Sequence, residues 1–289
     1  MMVVKKTVRS PGSATVINAI ATGRGSAFGI GLRVEAEAEL IDSGVECISR
    51  EGADTSLMEL CTRMVIEHYG VDAGVRVVTS SDLPVASGLS SSSAASNATV
   101  MAVSSLLSDE FGLQPMEDFE MLNMAVDASL QAGVSVTGAY DDASASFYGG
   151  LTVTDNMERR IILREPMENQ KVLIYMPDRK SLTAQSDVPR MKLLAPWVDM
   201  AFREVLDGRV HSALTLNGIL YCASLGFDPG IALDALEAGA LAAGLSGTGP
   251  SFVALTHEDS EADIIDAWEN LEGDVLVTSV DNEGTRVLE

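Results

Sequence analysis

The chain has 289 residues, 46% hydrophobic and 21% charged, which fits one large folded domain or two moderate ones and excludes the low-hydrophobicity signature of disorder. Its formal net charge of -23 would repel a phosphate backbone over most of the surface, so nucleic acid is excluded as a partner. Any anionic ligand would then need nearby basic residues to offset an unfavourable long-range field. Only 5 of the 19 basic residues are lysines, an acidic and arginine-biased balance that fits a salty cytoplasm or plain solubility. Cys47, Cys61 and Cys222 are odd in number and far apart, and His68, His211 and His257 are equally scattered, so neither a disulfide framework nor a zinc site is expected. The start reaches Pro11 and Gly12 before any apolar h-region, and no run approaches the roughly 18 apolar residues of a membrane span. A soluble cytoplasmic protein, with no membrane partner, is the expectation.

Residues Ile30 to Leu40 alternate strictly: Ile30, Leu32, Val34, Ala36, Ala38 and Leu40 share one face, and Arg33, Glu35, Glu37 and Glu39 the other. That pattern predicts a strand with one wet face. After the turn residues Asp42-Ser43-Gly44, Val45 to Ser49 is expected to pair with it as a hairpin. A helix follows at about Ser56 to His68, then a strand at Gly74 to Thr79 leading into a loop at Pro84. Small, helix-compatible residues run from Ser90 to Leu107. A second helix, opened by Gln114-Pro115 with Glu117 and Asp118 in its first turn, reaches about Gln131. Strand-like runs at Leu151 to Thr154, Ile161 to Leu163 and Lys171 to Met176 come next. Helical patterns at Arg190 to Asp207, Val210 to Leu225 and Ile231 to Ala243 precede a glycine-rich stretch at Ser246 to Pro250. Strand Phe252 to Thr256, a helix near Glu261 to Leu271 and strand Val275 to Val280 close the chain. Strands and helices mix without regular βαβ repetition, which predicts an α+β fold with a seam near residues 155 to 170.

The segment Pro84-Val85-Ala86-Ser87-Gly88-Leu89-Ser90-Ser91-Ser92-Ser93-Ala94-Ala95 lies between a strand and a long helix. Unpaired N–H groups at a helix start, flanked by small side chains, make an anion site, because the backbone can approach closely and the helix dipole favours negative charge. Serine hydroxyls there can also ligate Mg²⁺, a hard cation that prefers oxygen. The plainer alternative is that Ser90 to Ser93 only cap the helix. A Walker loop is excluded, since no lysine in the chain follows a glycine.

Pro84 to Ala95 resembles the PxxxGLGSSAA motif of the GHMP kinases (galactokinase, homoserine kinase, mevalonate kinase and phosphomevalonate kinase), with Ser90 in the place usually held by the second glycine. Ser10-Pro11-Gly12-Ser13 resembles the family's APG[KR] opening, with Ser13 replacing the basic residue. Leu245-Ser246-Gly247-Thr248-Gly249-Pro250-Ser251 resembles its second glycine-rich loop. The resemblance implies a two-domain fold, a ribosomal protein S5 domain 2-like N-terminal domain at 1–158 and a ferredoxin-like C-terminal domain at 159–289. It also implies ATP and Mg²⁺, with Pro84, Ser87, Gly88, Leu89, Ser90, Ser91, Ser92, Ser93, Ala94, Gly247, Thr248 and Gly249 around the nucleotide. The family places an aspartate seven residues ahead of a Gly-Gly pair, which here is Asp142 before Gly149-Gly150. Asp142 is therefore the expected base, with Asp141 raising its pKa by like-charge repulsion or taking the role itself. Read from the residues alone, the pair would be a solvated turn or a helix N-cap. Ser92 is the metal ligand the resemblance implies, and Asp127, on the preceding helix, is the acidic candidate beside it.

The stretch Pro11 to Ile30 is unlike the continuation found in sugar and mevalonate members, and together with Thr137 to Ala143 it resembles the archaeal-type shikimate kinases. That resemblance implies shikimate as the small-molecule substrate, whose ring carboxylate needs a cation and whose hydroxyls need small polar groups. Arg24 is the expected carboxylate clamp, or else simply an exposed arginine on a glycine loop. Asn18, Thr22 and Ser26 are expected on the hydroxyls, and Lys180, Thr183 and Arg190 approach from the second domain. Pantoate, homoserine and mevalonate remain as other acceptors, and a catalytically silent metabolite sensor remains as another class. A monomer and a homodimer are both compatible with the sequence.

Overall fold

In a computed structural model the described residues are 5–84, 86–135, 138–178 and 187–288. They form two antiparallel-rich sheets with helices packed on them, the α+β class expected. The first sheet is organised around β1 (Lys5–Ile17) and β2 (Arg24–Ile41), which pair along nearly their whole length. On its other side β2 is shared, its first residues pairing with β5 (Leu151–Asp155) and its later ones with β4 (Gly74–Ser81). One long strand therefore ties the start of the loop region to the rest of the sheet.

The alternation read from residues 30 to 40 is real: Val34, Ala36 and Ala38 are buried, while Glu35 pairs with Arg33 of its own strand and Glu37 and Glu39 meet basic residues of neighbouring strands. Lys5 Nζ lies 2.6 Å from Glu37 and 3.3 Å from Glu39, and Arg76 lies 2.9 Å from Glu39. The expected hairpin is not formed. β3 (Val45–Ser49) runs parallel to β4, which sits between it and β2. The crossover is α1 (Ser56–Tyr69), which buries Leu57, Met58, Cys61 and Val65 against the sheet's first helical layer. β1 itself shows no clear alternation, because from Val8 to Ile17 it is covered on both faces and almost every side chain is buried.

The central helix α2 (Ser91–Phe111) is buried on most sides and lies against β1 and β2. Its small side chains permit that close approach. α3 (Asp118–Gln131) begins later than Gln114-Pro115 suggested, because Glu117 is its N-cap in a capping box with Glu120. α4 (Tyr140–Tyr148) follows and leads into β5. β6 (Arg160–Glu165) pairs with β5, so the expected division after residue 158 falls in the turn of this hairpin, and by strand pairing the chain leaves the first sheet at 166–170. It returns at the end, where β11 (Arg286–Val287) pairs with β1.

The second sheet has the order β10-β7-β9-β8, built from β7 (Lys171–Pro177), β8 (Ala242–Leu245), β9 (Phe252–Thr256) and β10 (Gly273–Ser279). With helices between β7 and β8 and between β9 and β10, this is a ferredoxin-like arrangement. The helix expected over Arg190 to Asp207 is two: α5 (Val188–Lys192) and α6 (Ala195–Leu206), the second restarted at Pro196 in its first turn. α7 (Val210–Leu225) matches its pattern. The helix expected over Ile231 to Ala243 stops early, as α8 (Gly230–Glu237), because Gly239 turns the chain at φ +98° and Ala242 to Leu245 become β8. α9 (Glu261–Glu269) completes the layer, its Trp268 fully buried against Tyr175.

Candidate active site

The two glycine-rich loops meet edge to edge. Ser251 N–H donates to Ser87 O (3.1 Å), Ser246 Oγ donates to Gly88 O (2.9 Å), and Thr15 N–H donates to Ser246 Oγ (3.1 Å). Gly88 is required there, at φ +81°, since a Cβ would lie 2.6 Å from Ser246 O and 2.9 Å from Gly249 O. The loop is anchored by Leu83 and Leu89, which are buried beneath Gly12. Between the loops and α4 opens a cavity of about 430 Å³, within the range of about 300–1,000 Å³ usual for small-molecule sites.

Ser87, Gly88, Ser90, Ser91, Ser92, Ser93, Gly247, Thr248 and Gly249 all line this cavity, as do Asp141 and Asp142. Pro84, Leu89 and Ala94 do not. Pro84 accepts the Ser87 hydroxyl at 2.8 Å, Leu89 accepts the Ser13 N–H at 3.3 Å, and Ala94 is packed in the core, so these three shape the loop from behind. Beyond them the cavity wall takes in Thr15 and, at the end of α3, Ser129 and Val134. No motif pointed to Ser129 or Val134.

The simple capping reading of the serines fails on geometry. Ser90 is the N-cap of α2, but its side chain makes no capping bond and no acidic residue occupies the first turn. The start of α2 thus has neither a side-chain cap nor a first-turn acid, the condition in which a helix start can take an external anion. Strain points the same way. Among the described residues the non-glycine residues at positive φ are Ala86 (57°), Ser90 (59°), Ala139 (45°) and Arg159 (50°), and the first three line the cavity. Such conformations cost about 1–3 kcal/mol each and collect at functional sites. Ser90 also explains its own departure from the family motif: the position needs a left-handed backbone, which glycine usually supplies.

The Ser90 hydroxyl is spent on Asp142 and Ser13 instead. The Ser13 hydroxyl lies 2.7 Å from Ser90 Oγ and 3.3 Å from Asp142 Oδ1, and the Thr15 hydroxyl lies 3.4 Å from the same oxygen. Asp142 and Asp141 stand in the first turn of α4, where the positive end of the helix favours them. Asp142 is half-buried on the cavity wall, and Asp141 is almost wholly buried behind it. Burial first, and then the Asp141 charge, push the Asp142 carboxyl well above the usual carboxylate range, against hydrogen bonds from Ser90, Ser13 and Thr15. Asp141 is also raised by burial, against a 2.7 Å hydrogen bond from Asn156 Nδ2.

The residues expected to hold an acceptor are arranged differently. Asn18 lines the cavity, but its Nδ2 donates to Gly247 O (2.9 Å) and its Oδ1 accepts from Ile20 N–H (2.9 Å), so its amide braces the second loop. From α7, Asn217 Oδ1 accepts the Asn18 N–H and Tyr221 OH donates to the Asn18 carbonyl. The Thr22 hydroxyl folds back on the Arg24 backbone (3.1 and 3.2 Å), and Ser26 is fully buried. Arg24 leaves the cavity altogether: it pairs with Asp199 of α6 at 2.6 Å and stacks over Phe202, 4.8 Å from the ring centre. Arg190 is exposed at the start of α5, its guanidinium 3.4 Å from Ala223 O. Lys180 and Thr183 lie outside the described residues. Asp127 faces Arg159 at 2.5 Å and is absent from the cavity wall, so it is spoken for by an ion pair.

Comparison with known proteins matches this frame to both halves of one family. Residues 56–150 match the model for the GHMP kinases N terminal domain, and residues 213–273 match that for the GHMP kinases C terminal domain. A shikimate kinase of Methanobrevibacter smithii is 52% identical over 287 residues, covering 98% of this chain and 99% of that protein. The chain belongs to the GHMP kinases. A shikimate kinase of the more distant Halobacterium salinarum is 37% identical, covering 96% of this chain and 97% of that one. The fold extends across the family: a solved homoserine kinase of Cytophaga hutchinsonii superposes with a TM-score of 0.76 at 21% identity, over 100% of this chain and 98% of that one. As a GHMP kinase the chain is an ATP-dependent phosphotransferase.

Proposed function

We propose that this GHMP kinase transfers the γ-phosphoryl group of ATP to the 3-hydroxyl of shikimate, giving shikimate 3-phosphate and ADP. The observation that carries the reading is full-length kinship to archaeal shikimate kinases at 37–52% identity, in a chain whose Asp142 faces the cavity beside the α2 N-terminus. Phosphoryl transfer needs positioning, neutralisation of phosphate charge and a group to receive the acceptor's proton. The start of α2 and the close backbone of Gly88 and Gly247 hold the phosphates. Asp142 orients the acceptor hydroxyl and takes its proton as the new O–P bond forms and the bond to the ADP oxygen breaks. Ser13 and Thr15 keep the carboxylate aimed while this happens.

Among the described residues no cluster of three or more His, Cys, Asp or Glu could hold a metal by itself. Mg²⁺ would fit instead as an ion brought with the triphosphate, for which Ser92 on the cavity wall would supply a hydroxyl oxygen. When bound it offsets charge on the transferring group. No described helix is long and apolar enough to cross a membrane. We place the enzyme in the cytoplasm, as a monomer or homodimer.

ADP release measured side by side with shikimate, pantoate, homoserine and mevalonate tests the assignment. Turnover with shikimate is expected. Silence with shikimate and turnover with another acceptor would replace it, and nucleotide binding without turnover on any of them would mark a sensor.

A further inference from the structure

Asp141 and Asp142 are adjacent in sequence, but their surroundings differ in kind. The Asp141 carboxylate receives the Asn156 amide at 2.7 Å and the backbone N–H groups of Asp141 and Asp142, all of which can only donate. The Asp142 carboxylate is met by the hydroxyls of Ser13, Thr15 and Ser90, which can donate to it or accept from it. A proton on Asp141 would therefore point at donors, whereas a proton on Asp142 has acceptors waiting. Two carboxylates this close hold one negative charge far more easily than two, so the donor arrangement decides which of them carries it.

Asn156 is the side chain that makes the difference. It is almost fully buried at the end of β5, and its Oδ1 accepts the Thr154 hydroxyl at 2.6 Å, which turns its NH₂ toward Asp141. Its backbone N–H is fixed on Gly23 O at 2.8 Å. Opposite, a Cβ at Gly25 would collide with the Asp141 carboxylate, so β2 comes up flush and brings no charge. Among the described residues the other elements around the pair add none nearby. β1 offers the Ser13 and Thr15 hydroxyls, and α2 offers Ser90 and Asn97. Asp127 of α3 is paired with Arg159, and Asp155 is taken up by the N–H groups of Met157 and Glu158, with Arg160 3.9 Å away. From α7 the Tyr221 hydroxyl approaches, itself held neutral mainly by burial.

We propose that Asn156 is a positioning residue: it holds Asp141 as the charged, buried member of the pair and so leaves Asp142 as the member that exchanges a proton with the acceptor. This rests on the reading of Asp142 as the proton acceptor. Removing the donor hands the proton to Asp141 and the charge to Asp142, which then ionises at lower pH.

The test is the pH dependence of kcat with ATP, Mg²⁺ and shikimate for the wild type, Asn156→Leu and Thr154→Val, joined to carboxyl-carbon NMR titration of the nucleotide-free proteins. Asn156→Leu is expected to move the acid limb down by about one pH unit, the low end of what a neighbouring charge contributes. Thr154→Val keeps the size of the side chain and removes the hydroxyl that Asn156 accepts from, so it should move the limb the same way by less, because the amide is freed to rotate. In the titration Asp141 should lose its proton first in the wild type and second in Asn156→Leu. A lower kcat with an unmoved limb in both variants, or an unchanged order of titration, overturns the proposal. If the wild type is silent with shikimate, the acceptor reading falls while the titration order still decides this one.

Discussion

On the proposed reading of the cavity, its phosphate side and its acceptor side are built from different materials. On the phosphate side the surface is backbone: helix start, tight glycines and hydroxyls, held by loop-to-loop hydrogen bonds of 2.9 and 3.1 Å between residues some 160 apart in the chain. On the acceptor side the expected contacts are side chains, and most are already engaged with other parts of the protein. Asn18 braces Gly247, Thr22 closes its own turn, and Arg24 reaches across to Asp199. Among the described residues no lysine or arginine lines the cavity. A site made of main chain is set by spacing and by residues that permit a conformation; a site made of side chains is set by where distant elements land.

The aspartate at the junction of the two sides gives the largest expected effect. Asp142→Asn keeps the acceptor oxygen for Ser13 and Thr15 but cannot take a proton, so kcat should fall by about 10²–10⁴ with ATP binding retained. Near-normal turnover would remove Asp142 from the mechanism. The same variant sharpens the electrostatic reading through stability. A carboxyl raised in the folded state binds its proton more tightly there than in the unfolded chain, so its contribution is full at low pH and is lost as pH rises through the raised value. Thermal melts of the nucleotide-free wild type should show that decline, and Asp142→Asn should flatten it and melt higher on the alkaline side. A catalytic group that costs the resting fold stability is the signature sought.

Gly88→Ala probes the phosphate side on its own. The new Cβ would meet two carbonyl oxygens of the opposite loop, which are main chain and cannot swing away, and φ +81° adds strain. A stability loss of about 1–3 kcal/mol is expected, together with a KM for ATP raised at least about tenfold, roughly 1.4 kcal/mol of lost binding. An unchanged KM for ATP would mean that contact between the loops does not shape the nucleotide site.

The same division explains what the sequence revealed. The two loops were legible because each rests on local rules, a glycine where φ is positive and small residues at a buried helix start, whereas Asp142 and the ferredoxin-like half were expected only through the family resemblance. Ser90 was legible as a departure, but its meaning was not, since a left-handed serine that touches Asp142 is visible only once β1 brings Ser13 alongside. β1 escaped notice because a strand covered on both faces does not alternate. β3 looked like a hairpin partner because turn chemistry at Asp42-Ser43-Gly44 is local, whereas the insertion of β4 is a long-range choice. Asn156 gave no signal at all; the β5–β6 hairpin carries it to Asp141 through sheet pairing with β2.

The smallest effect tests the acceptor side. Arg24 and Asp199 are each about 40% exposed, and ion pairs of that kind contribute about 0–1 kcal/mol. Arg24→Ala and Asp199→Asn should therefore each shift Tm by only a few degrees. If the pair only fastens β2 to α6, the two variants should also leave the KM for shikimate within about threefold, which is below 1 kcal/mol. The two separate if Arg24 exchanges partners on binding. Asp199→Asn would then free the guanidinium and lower KM, while Arg24→Ala would raise it about a hundredfold, the loss of a charge-assisted bidentate contact. Opposite signs at the two ends of one ion pair would return Arg24 to the substrate, and equal small effects would leave it as a brace between β2 and α6.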